Sequence, residues 1–360
     1  MLRDILSLTF VAGLIAYFSP SPWWSTDRDV YERMAREWVV PSCNDFHCFR
    51  PFVSWILGRI PGPPLLIWKS YAVLCQVGAG LAMSHWVQRW GASAGTGRMV
   101  AWLTALGSGA CYTFFDPHTS DPLMHLLGPL LMLLIDHERV VTATVIALAG
   151  VMAKEFAAAP LVIAATYRAL RHEWVQARSL AIGAGLVFGS WALWQTMART
   201  ILGYITGPTY SADLTRGGFI VFWLELVPLL LAAMLVAAVF GGLWLLWAAG
   251  LVRGPSRLRS LTFAAIPVIL IFTALQQPER ALWNFAFIAM PAVAVVLNQV
   301  PARFGWLLVA AQVLLNARSG GQLPMVPPSR LTLLLSVAMA IGMIAASARR
   351  SGASSSRSTC

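Results

Sequence analysis

Long apolar runs separated by short polar connections fill almost the whole chain. A helix of about 20 apolar residues crosses the hydrocarbon core of a bilayer, so runs near that length predict membrane-spanning helices. The pattern predicts an all-α, polytopic integral membrane protein with about 12 spans, in a range of roughly 10–13. The predicted spans lie near residues 5–19, 65–88, 99–115, 122–136, 140–153, 156–170, 179–200, 221–251, 261–276, 281–298, 305–316 and 331–347.

Two features of this pattern have alternative interpretations. The runs 140–153 and 156–170 meet at Lys154–Glu155, so they form either one long helix with charges in mid-membrane or two short helices. A charge at the bilayer centre costs about 2.5–3.5 kcal/mol on insertion scales, which favours two short helices that meet at a water-facing turn. The first run also fits a signal peptide, but no small-x-small cleavage site follows it, which favours an uncleaved span.

The composition agrees with a membrane protein. The chain is 58% hydrophobic and 11% charged, and its mean hydropathy is +0.68. A soluble domain of 360 residues does not bury so much apolar surface. The net charge of +11 comes from short basic clusters between apolar runs, which the positive-inside rule explains better than nucleic-acid binding. With the N-terminus inside, both termini are cytoplasmic and most acidic residues face outward.

A single domain accounts for the chain. Residues 1–347 are predicted to form one transmembrane domain in which residues 20–60 are the first outer loop, and residues 348–360 a disordered cytoplasmic tail. The glycines at 91–97 lack the Lys-Ser/Thr pair of a phosphate-binding loop, which argues against a nucleotide-driven machine. Chemistry is therefore expected at the outer surface, where the connections are longer and carry the acidic residues.

The densest charge cluster is TDRDVYERMAREW, residues 26–38, directly after the first span. Its apolar residues recur at helical spacing: Tyr31, Met34, Ala35 and Trp38. This predicts an amphipathic helix whose apolar face lies on the bilayer interface or on the other spans. Asp27 and Asp29 stand in its first turn as candidates for chemistry. Asp29 equally fits a capping box with Thr26 at the N-cap.

The segment DRDVYERMARE, residues 27–37, resembles the first outer loop of the GT-C superfamily of membrane glycosyltransferases. These enzymes use polyprenyl-phosphate-linked sugars and include the aminoarabinose transferases of lipid A and the protein O-mannosyltransferases. In them an Asp, usually followed by Glu, precedes an aromatic residue by a few positions. The resemblance assigns the catalytic Asp to Asp27 and the aromatic, a substrate-binding candidate, to Tyr31. Arg28 replaces the usual Glu, which leaves Asp29 as the candidate second carboxylate.

Sugar transfer from a lipid phosphate needs a carboxylate that accepts the proton of the acceptor hydroxyl. GT-C proteins often carry a second acidic site in a later outer loop, and the resemblance assigns it to Asp121 and Asp116 in FDPHTSDPLMH. His118 in the same loop is a substrate-binding candidate. A divalent cation held by these three residues is the less favoured alternative, because many GT-C enzymes need no metal. No cofactor is otherwise expected.

Cations are expected at the same depth, because the departing lipid phosphate is an anion. Lys154–Glu155 resembles the Lys-Glu found between short helices in several GT-C proteins, with a structural ion pair as the alternative role. Glu279–Arg280 resembles the Glu-Arg pairs that precede a late span. Arg50, in an Arg-Pro step, resembles the end of the first outer loop of bacterial GT-C-like proteins. The alternative role of Arg50 is interfacial snorkelling.

Two cysteines, Cys43 and Cys48, lie in the first outer loop as CNDFHC. An oxidising compartment favours a disulfide between them. A metal site that adds Asp45 and His47 is the alternative, but four ligands within six residues are sterically poor.

The resemblance thus implies a glycosyltransferase that moves a sugar from a polyprenyl phosphate to a glycan, lipid or protein acceptor on the periplasmic or lumenal face. Arg in preference to Lys, together with high Ala and Gly content, favours a bacterial inner membrane. Its partners are then a lipid-linked donor, an acceptor and the bilayer, with no nucleic acid. The alternatives are a transporter or flippase of a lipid-linked substrate and a non-catalytic membrane subunit with the same fold.

Overall fold

The computed structural model describes residues 2–22, 26–40, 42–205, 229–275, 278–327 and 329–355. In these ranges the chain is almost entirely helical, and the β pairing found there is one isolated bridge between Asn44 and Ile205. The α-helices in chain order are α1 Leu2–Phe18, α2 Thr26–Glu37, α3 Phe52–Leu57, α4 Pro64–Arg89, α5 Ala94–Ala105, α6 Ser108–Phe115, α7 Asp121–Asp136, α8 Val140–Val151, α9 Ala159–Leu170, α10 Trp174–Leu202, α11 Leu229–Phe240, α12 Leu243–Arg253, α13 Ser256–Leu275, α14 Pro278–Asn284, α15 Ala286–Asn298, α16 Ala302–Ser319 and α17 Ser329–Ser355. Short 3₁₀ helices lie at Phe46–Phe49 and Glu155–Ala158.

Most of the helices lie in the predicted apolar runs, which confirms the all-α class. The runs 99–115 and 281–298 are each divided between two helices, α5 with α6 and α14 with α15. Of the run 221–251, residues 221–228 lie outside the described part, and the rest forms α11 and α12, whose axes are bent by 67°. Gly241 stands at this bend with φ +51°, a conformation that glycine adopts without steric cost. Helix α17 runs to Ser355 and so covers 348–355 of the predicted tail, while 356–360 lie outside the described part.

Fewer helices meet the length and hydropathy of a membrane span than the twelve predicted. Among the described residues, four helices do so, and a fifth is added if the bent pair α11–α12 is one span. The four are Pro64–Arg89, Trp174–Leu202, Ser256–Thr273 and Ser329–Ala348. The other helices are individually shorter or more polar than a span of about 20 apolar residues. These long apolar helices are consistent with an integral membrane protein.

Helix α1 has the two faces expected of a helix between protein and lipid. One face is buried against the rest of the chain and consists of Leu8, Ala12, Ile15 and Ala16. The other exposes large apolar side chains at intervals of three or four residues, namely Leu2, Leu6, Phe10, Leu14 and Tyr17. A long exposed apolar stripe on one helix is typical of contact with another apolar surface, and it is consistent with a membrane protein.

Helix α4 connects the packed interior to the region that carries the candidate chemistry. It packs against α1, α5 and α7. Trp86 near its end is fully buried and donates its Nε1–H to Asp136 Oδ2 at 2.7 Å. Trp68 near its start is also buried, and its ring lies 5.7 Å from that of Tyr31. The N-terminal end of α4 therefore supports α2.

Helix α2 buries the apolar face that its sequence predicts, with one exception. Tyr31 and Met34 are each 1% exposed. The assignment of Trp38 to this face is wrong, because α2 ends at Glu37 and Trp38 has φ +62°, which turns the chain away. Trp38 is 49% exposed, and its ring packs at 5.5 Å from that of Trp55.

The approach of α2 to α3 depends on Gly58. A Cβ built at Gly58 lies 2.1 Å from the carbonyl oxygen of Ala35. We expect Gly58→Ala to push α2 away from α3 and to lower the free energy of unfolding by about 1–3 kcal/mol, as overpacking does. The measurement is the melting temperature in detergent. Gly185→Ala is the matched control, because nothing lies within 4 Å of its added Cβ. Equal melting temperatures for Gly58→Ala and wild type would contradict this packing.

Candidate functional site

A disulfide between Cys43 and Cys48 closes a short loop after α2. Asp45 caps the following 3₁₀ helix, since its Oδ1 accepts the backbone N–H of His47 at 2.8 Å. The same Oδ1 lies 2.7 Å from Nδ1 of the His47 ring. The Cys43 carbonyl accepts the N–H of Ile205 at 3.0 Å, which ties this Cys43–Cys48 loop to the chain beyond α10. Both sulfurs are used in the disulfide, which contradicts the metal alternative.

Asp27, the predicted base, lies beside the Cys43–Cys48 loop. Its Oδ2 is 3.4 Å from Nε2 of His47, so the imidazole has a carboxylate at each nitrogen. The Asp27 side chain keeps 21% of its surface exposed. Asp29, the second predicted carboxylate, is exposed to solvent. The side chain of Thr26, the predicted N-cap, lies outside the described part.

Tyr31 is buried among charged residues that are themselves candidates for the site. Its hydroxyl lies 3.4 Å from Ser120 Oγ, and its ring packs edge-on against His47 at 5.5 Å. Burial raises the pKa of Tyr31 to about 12, with the charges of Arg50, Asp27 and Asp121 also acting on the phenol. Tyr31 is therefore a neutral phenol at physiological pH, surrounded by the charges of three different elements.

Asp121 and Lys154 form a buried ion pair. Asp121 begins α7 and Lys154 precedes the 3₁₀ helix at Glu155, and Lys154 Nζ donates to Asp121 Oδ1. The two side chains are 4% and 6% exposed, respectively. The chain between Val151 and Ala159 is not one continuous helix, so the Lys-Glu step lies at a break between α8 and α9.

Arg50 and Glu155 form a second ion pair next to the first. An Nη of Arg50 donates to Glu155 Oε1 at 2.7 Å, and the guanidinium lies over the Phe46 ring, 4.9 Å from its centroid. The Arg50 side chain is only 15% exposed, so it reaches into the protein. Snorkelling into the interface, the alternative role of Arg50, is therefore contradicted by the direction of its side chain.

Arg280 reaches the same cluster from α14. It donates to the Tyr112 hydroxyl at 2.7 Å and lies over the Tyr112 ring. Burial opposes its charge, but Tyr112 and the carboxylates of Asp121 and Asp27 raise the pKa of Arg280 above its ordinary value. Its neighbour Glu279 is half-buried, and burial raises the pKa of that carboxyl.

His118 and Asp116 occupy less central positions than Asp121. His118 Nε2 lies 3.2 Å from Glu32 Oε1, on a different face of α2 from Asp27, and its ring packs 5.1 Å from Trp68. Burial lowers the pKa of His118 to about 4, with the Glu32 carboxylate opposing it, so the ring is neutral at pH 7. Asp116 is buried within range of the Tyr112 hydroxyl. Among the described residues, no group of three His, Cys, Asp or Glu side chains could hold a metal ion.

The structure therefore brings together most of the predicted site residues in one cluster: Asp27, Tyr31, Arg50, Asp121, Lys154, Glu155 and Arg280. Asp29 lies at the surface, and His118 faces the other side of α2. The sequence missed the contact of His47 with Asp27 and the support of Arg280 by Tyr112. Only the residue types in CNDFHC pointed to His47, and they suggested a metal.

Substitutions that break the Asp121–Lys154 ion pair test how much it contributes to stability. We expect Lys154→Met to cost about 3–5 kcal/mol of folding free energy, because it leaves a buried carboxylate without its cation. The double variant Lys154→Met with Asp121→Leu should recover most of the lost melting temperature. Arg33→Met is the control, since its pair with Glu37 is exposed and is expected to contribute at most about 1 kcal/mol. A double variant as unstable as Lys154→Met would contradict a buried ion pair.

Replacing both Cys43 and Cys48 by Ser tests the disulfide. A cross-link that closes so short a loop contributes about 2 kcal/mol in the chain-entropy treatment. We expect a lower melting temperature for the double variant and for reduced wild type, with no further decrease when reductant is added to the variant. If wild-type cysteines become reactive toward maleimide on reduction while the melting temperature is unchanged, the loop does not depend on the bond.

No protein-family model, curated protein or solved structure matches this chain.

Proposed function

We propose that this protein is a glycosyltransferase of the GT-C type, which moves a sugar from a polyprenyl phosphate to an acceptor on the outer face of a membrane. The observation that carries the proposal is that Asp27 lies close enough to Arg280 for the two charges to interact, in the cluster that also holds the buried cations Lys154 and Arg50. These residues are far apart in sequence. A carboxylate and several cations at one point are the groups that this reaction requires.

Asp27 is the preferred base because its side chain is partly exposed, so an acceptor hydroxyl can approach it. Its side chain is 21% exposed, whereas that of Asp121 is 4% exposed and is engaged by Lys154. Asp121 therefore positions the Lys154 ammonium rather than accepting a proton from an acceptor. Asp29 and Asp116 take no direct part, because Asp29 faces solvent and Asp116 is buried near Tyr112.

Arg280 is the preferred contact for the donor phosphate. Lys154 and Arg50 each pair with a carboxylate, whereas Arg280 donates to the neutral phenol of Tyr112. A guanidinium has five N–H donors in a planar fork, and a phosphate can accept two of them at once. Lys154 and Arg50 add positive charge near the leaving group, with their ion pairs fixing their positions.

The proposed topology has about 12 spans, with both termini in the cytoplasm of a bacterial inner membrane. Short helices combine into spans in this view, since α5 with α6 and α14 with α15 each approach the length that crosses a bilayer. The site residues come from four connections that the charge pattern assigns to the outer side. Their convergence in one cluster supports that common side.

Asp27→Asn tests the base. We expect the rate of sugar transfer to fall by about 10²–10⁴-fold, because the amide cannot accept the hydroxyl proton. The measurement uses purified protein in vesicles with labelled polyprenyl-phosphate-linked hexoses and pentoses. The melting temperature should stay close to that of wild type.

Glu37→Gln is the matched control for that experiment. Glu37 lies on the same helix, is exposed and pairs with Arg33 at the surface, so its loss should leave transfer unchanged. Wild-type activity in Asp27→Asn would remove Asp27 from the role of base.

A further inference from the structure

The imidazole of His47 is held between two carboxylates that belong to different elements. Nδ1 lies 2.7 Å from Oδ1 of Asp45, in the Cys43–Cys48 loop, and Nε2 lies 3.4 Å from Oδ2 of Asp27, at the start of α2. The His47 side chain is 9% exposed and packs against the rings of Phe46 and Tyr31. The ring is therefore fixed in place by packing as well as by its polar contacts.

The partners of the ring determine where its protons lie. The Asp45 carboxylate accepts hydrogen bonds and also takes the backbone N–H of His47, so Nδ1 carries a proton toward it. In the neutral ring, Nε2 then presents its lone pair to Asp27. A proton that arrives on Asp27 can pass to Nε2, and the imidazolium that forms is stabilised by a carboxylate on each side.

Resting on the proposed function, we propose that His47 is a positioning residue that fixes the Asp27 carboxylate and takes over the proton that Asp27 removes from the acceptor hydroxyl. In the step, the acceptor O–H bond breaks and its electron pair forms the bond to the anomeric carbon. The bond from that carbon to the phosphate oxygen breaks, and its electron pair leaves with the phosphate. The proton goes to Asp27 and then to Nε2, which restores the carboxylate, and it passes from Nε2 to water before the next turnover.

The groups around the ring support this role. Asp27 and Tyr31 face it from α2, and Asp45 faces it from the Cys43–Cys48 loop. Burial favours the protonated form of Asp45, but the hydrogen bond and charge of His47 hold the pKa of Asp45 below its ordinary value, with the nearby Arg50 contributing. Asp45 thus remains an anion that balances an imidazolium.

The other imidazole near α2 is arranged differently. His118 lies beside a single carboxylate, Glu32, which also accepts the Arg28 Nε–H at 2.9 Å. Neither His118 nor Glu32 contacts Asp27 in the described part of the chain. Among the described residues, a carboxylate therefore lies beside both ring nitrogens of His47, whereas His118 has one beside Nε2 alone.

Kinetics of sugar transfer provide the first test. We expect His47→Gln to lower kcat by at least about tenfold, less than the loss of the base itself, with little change in the KM for the donor. The acid limb of the pH–rate profile should move to lower pH, because the variant lacks the imidazole that receives the proton. Asp45→Asn keeps the acceptor for Nδ1 but removes its charge, so we expect a smaller fall in kcat and the same direction of the pH shift. If His47→Gln does not fold, the rate and pH profile of Asp45→Asn provide the test instead.

His137→Gln is the control, since His137 is exposed at the opposite end of α7 from Asp121. Its rate and pH profile should match those of wild type. If wild type is active, and both His47→Gln and Asp45→Asn have the rate and pH profile of wild type, this inference is overturned. The proposed function then still stands.

A substrate-free measurement separates the two proposals. With ¹⁵N-labelled histidine in lipid nanodiscs, Asp27→Asn should move the His47 ring resonances and their titration, but not those of His137. If wild type transfers no sugar and the His47 resonances respond to Asp27→Asn, the proposed function fails while the coupling stands. If the His47 resonances do not respond, the coupling itself is wrong.

Discussion

The buried ion pair between Asp121 and Lys154 is the interaction on which the candidate site depends. It joins the start of α7 to the break between α8 and α9, two points that are more than thirty residues apart. A buried charge is costly, and it is tolerated where a partner of opposite sign and good geometry is fixed beside it. The buried ammonium of Lys154, at the break between α8 and α9, is therefore compensated by the carboxylate of Asp121, and the buried carboxylate is compensated by the ammonium. Arg50 and Glu155 extend the same arrangement toward the first outer loop.

The second constraint is the disulfide-closed loop between α2 and α3. The Cys43–Cys48 bond and the Asp45 cap fix the direction of the His47 ring, and the ring meets Asp27. Helix α2 is held from beneath by the buried Tyr31 and Met34 and from the side by the close approach at Gly58. Asp27 and the cations Lys154 and Arg280 thus lie on separate elements, and Arg50 caps the end of the 3₁₀ helix that carries His47. A site can in this way be held rigidly although its residues come from several segments of the chain.

Much of this arrangement could be predicted from the sequence, and the remainder fails for physical reasons. The lengths of the apolar runs located the long helices, and helical periodicity located the buried face of α2, because burial repeats with the turn of the helix. It failed at Trp38, where a positive φ ends the helix without a glycine or proline to signal it. Residue type and position selected Asp27, Asp121, Lys154 and Arg280, since charges are rare in this chain. Side-chain direction could not be predicted, so Asp29 was grouped with Asp27 although it faces solvent, and the contacts of His47 and Tyr112 were missed.

In the proposed function, the carboxylate and cations of this cluster promote cleavage of the bond between sugar and phosphate in a lipid-linked donor. The most direct measurement gives the purified protein, in sealed vesicles, a polyprenyl-phosphate sugar carrying separate labels on the sugar and on the lipid. If the protein is a glycosyltransferase, the sugar label moves to an acceptor while free polyprenyl phosphate accumulates in step with it. Transfer of the intact, doubly labelled donor from one leaflet to the other, or a donor that remains unchanged, would contradict it.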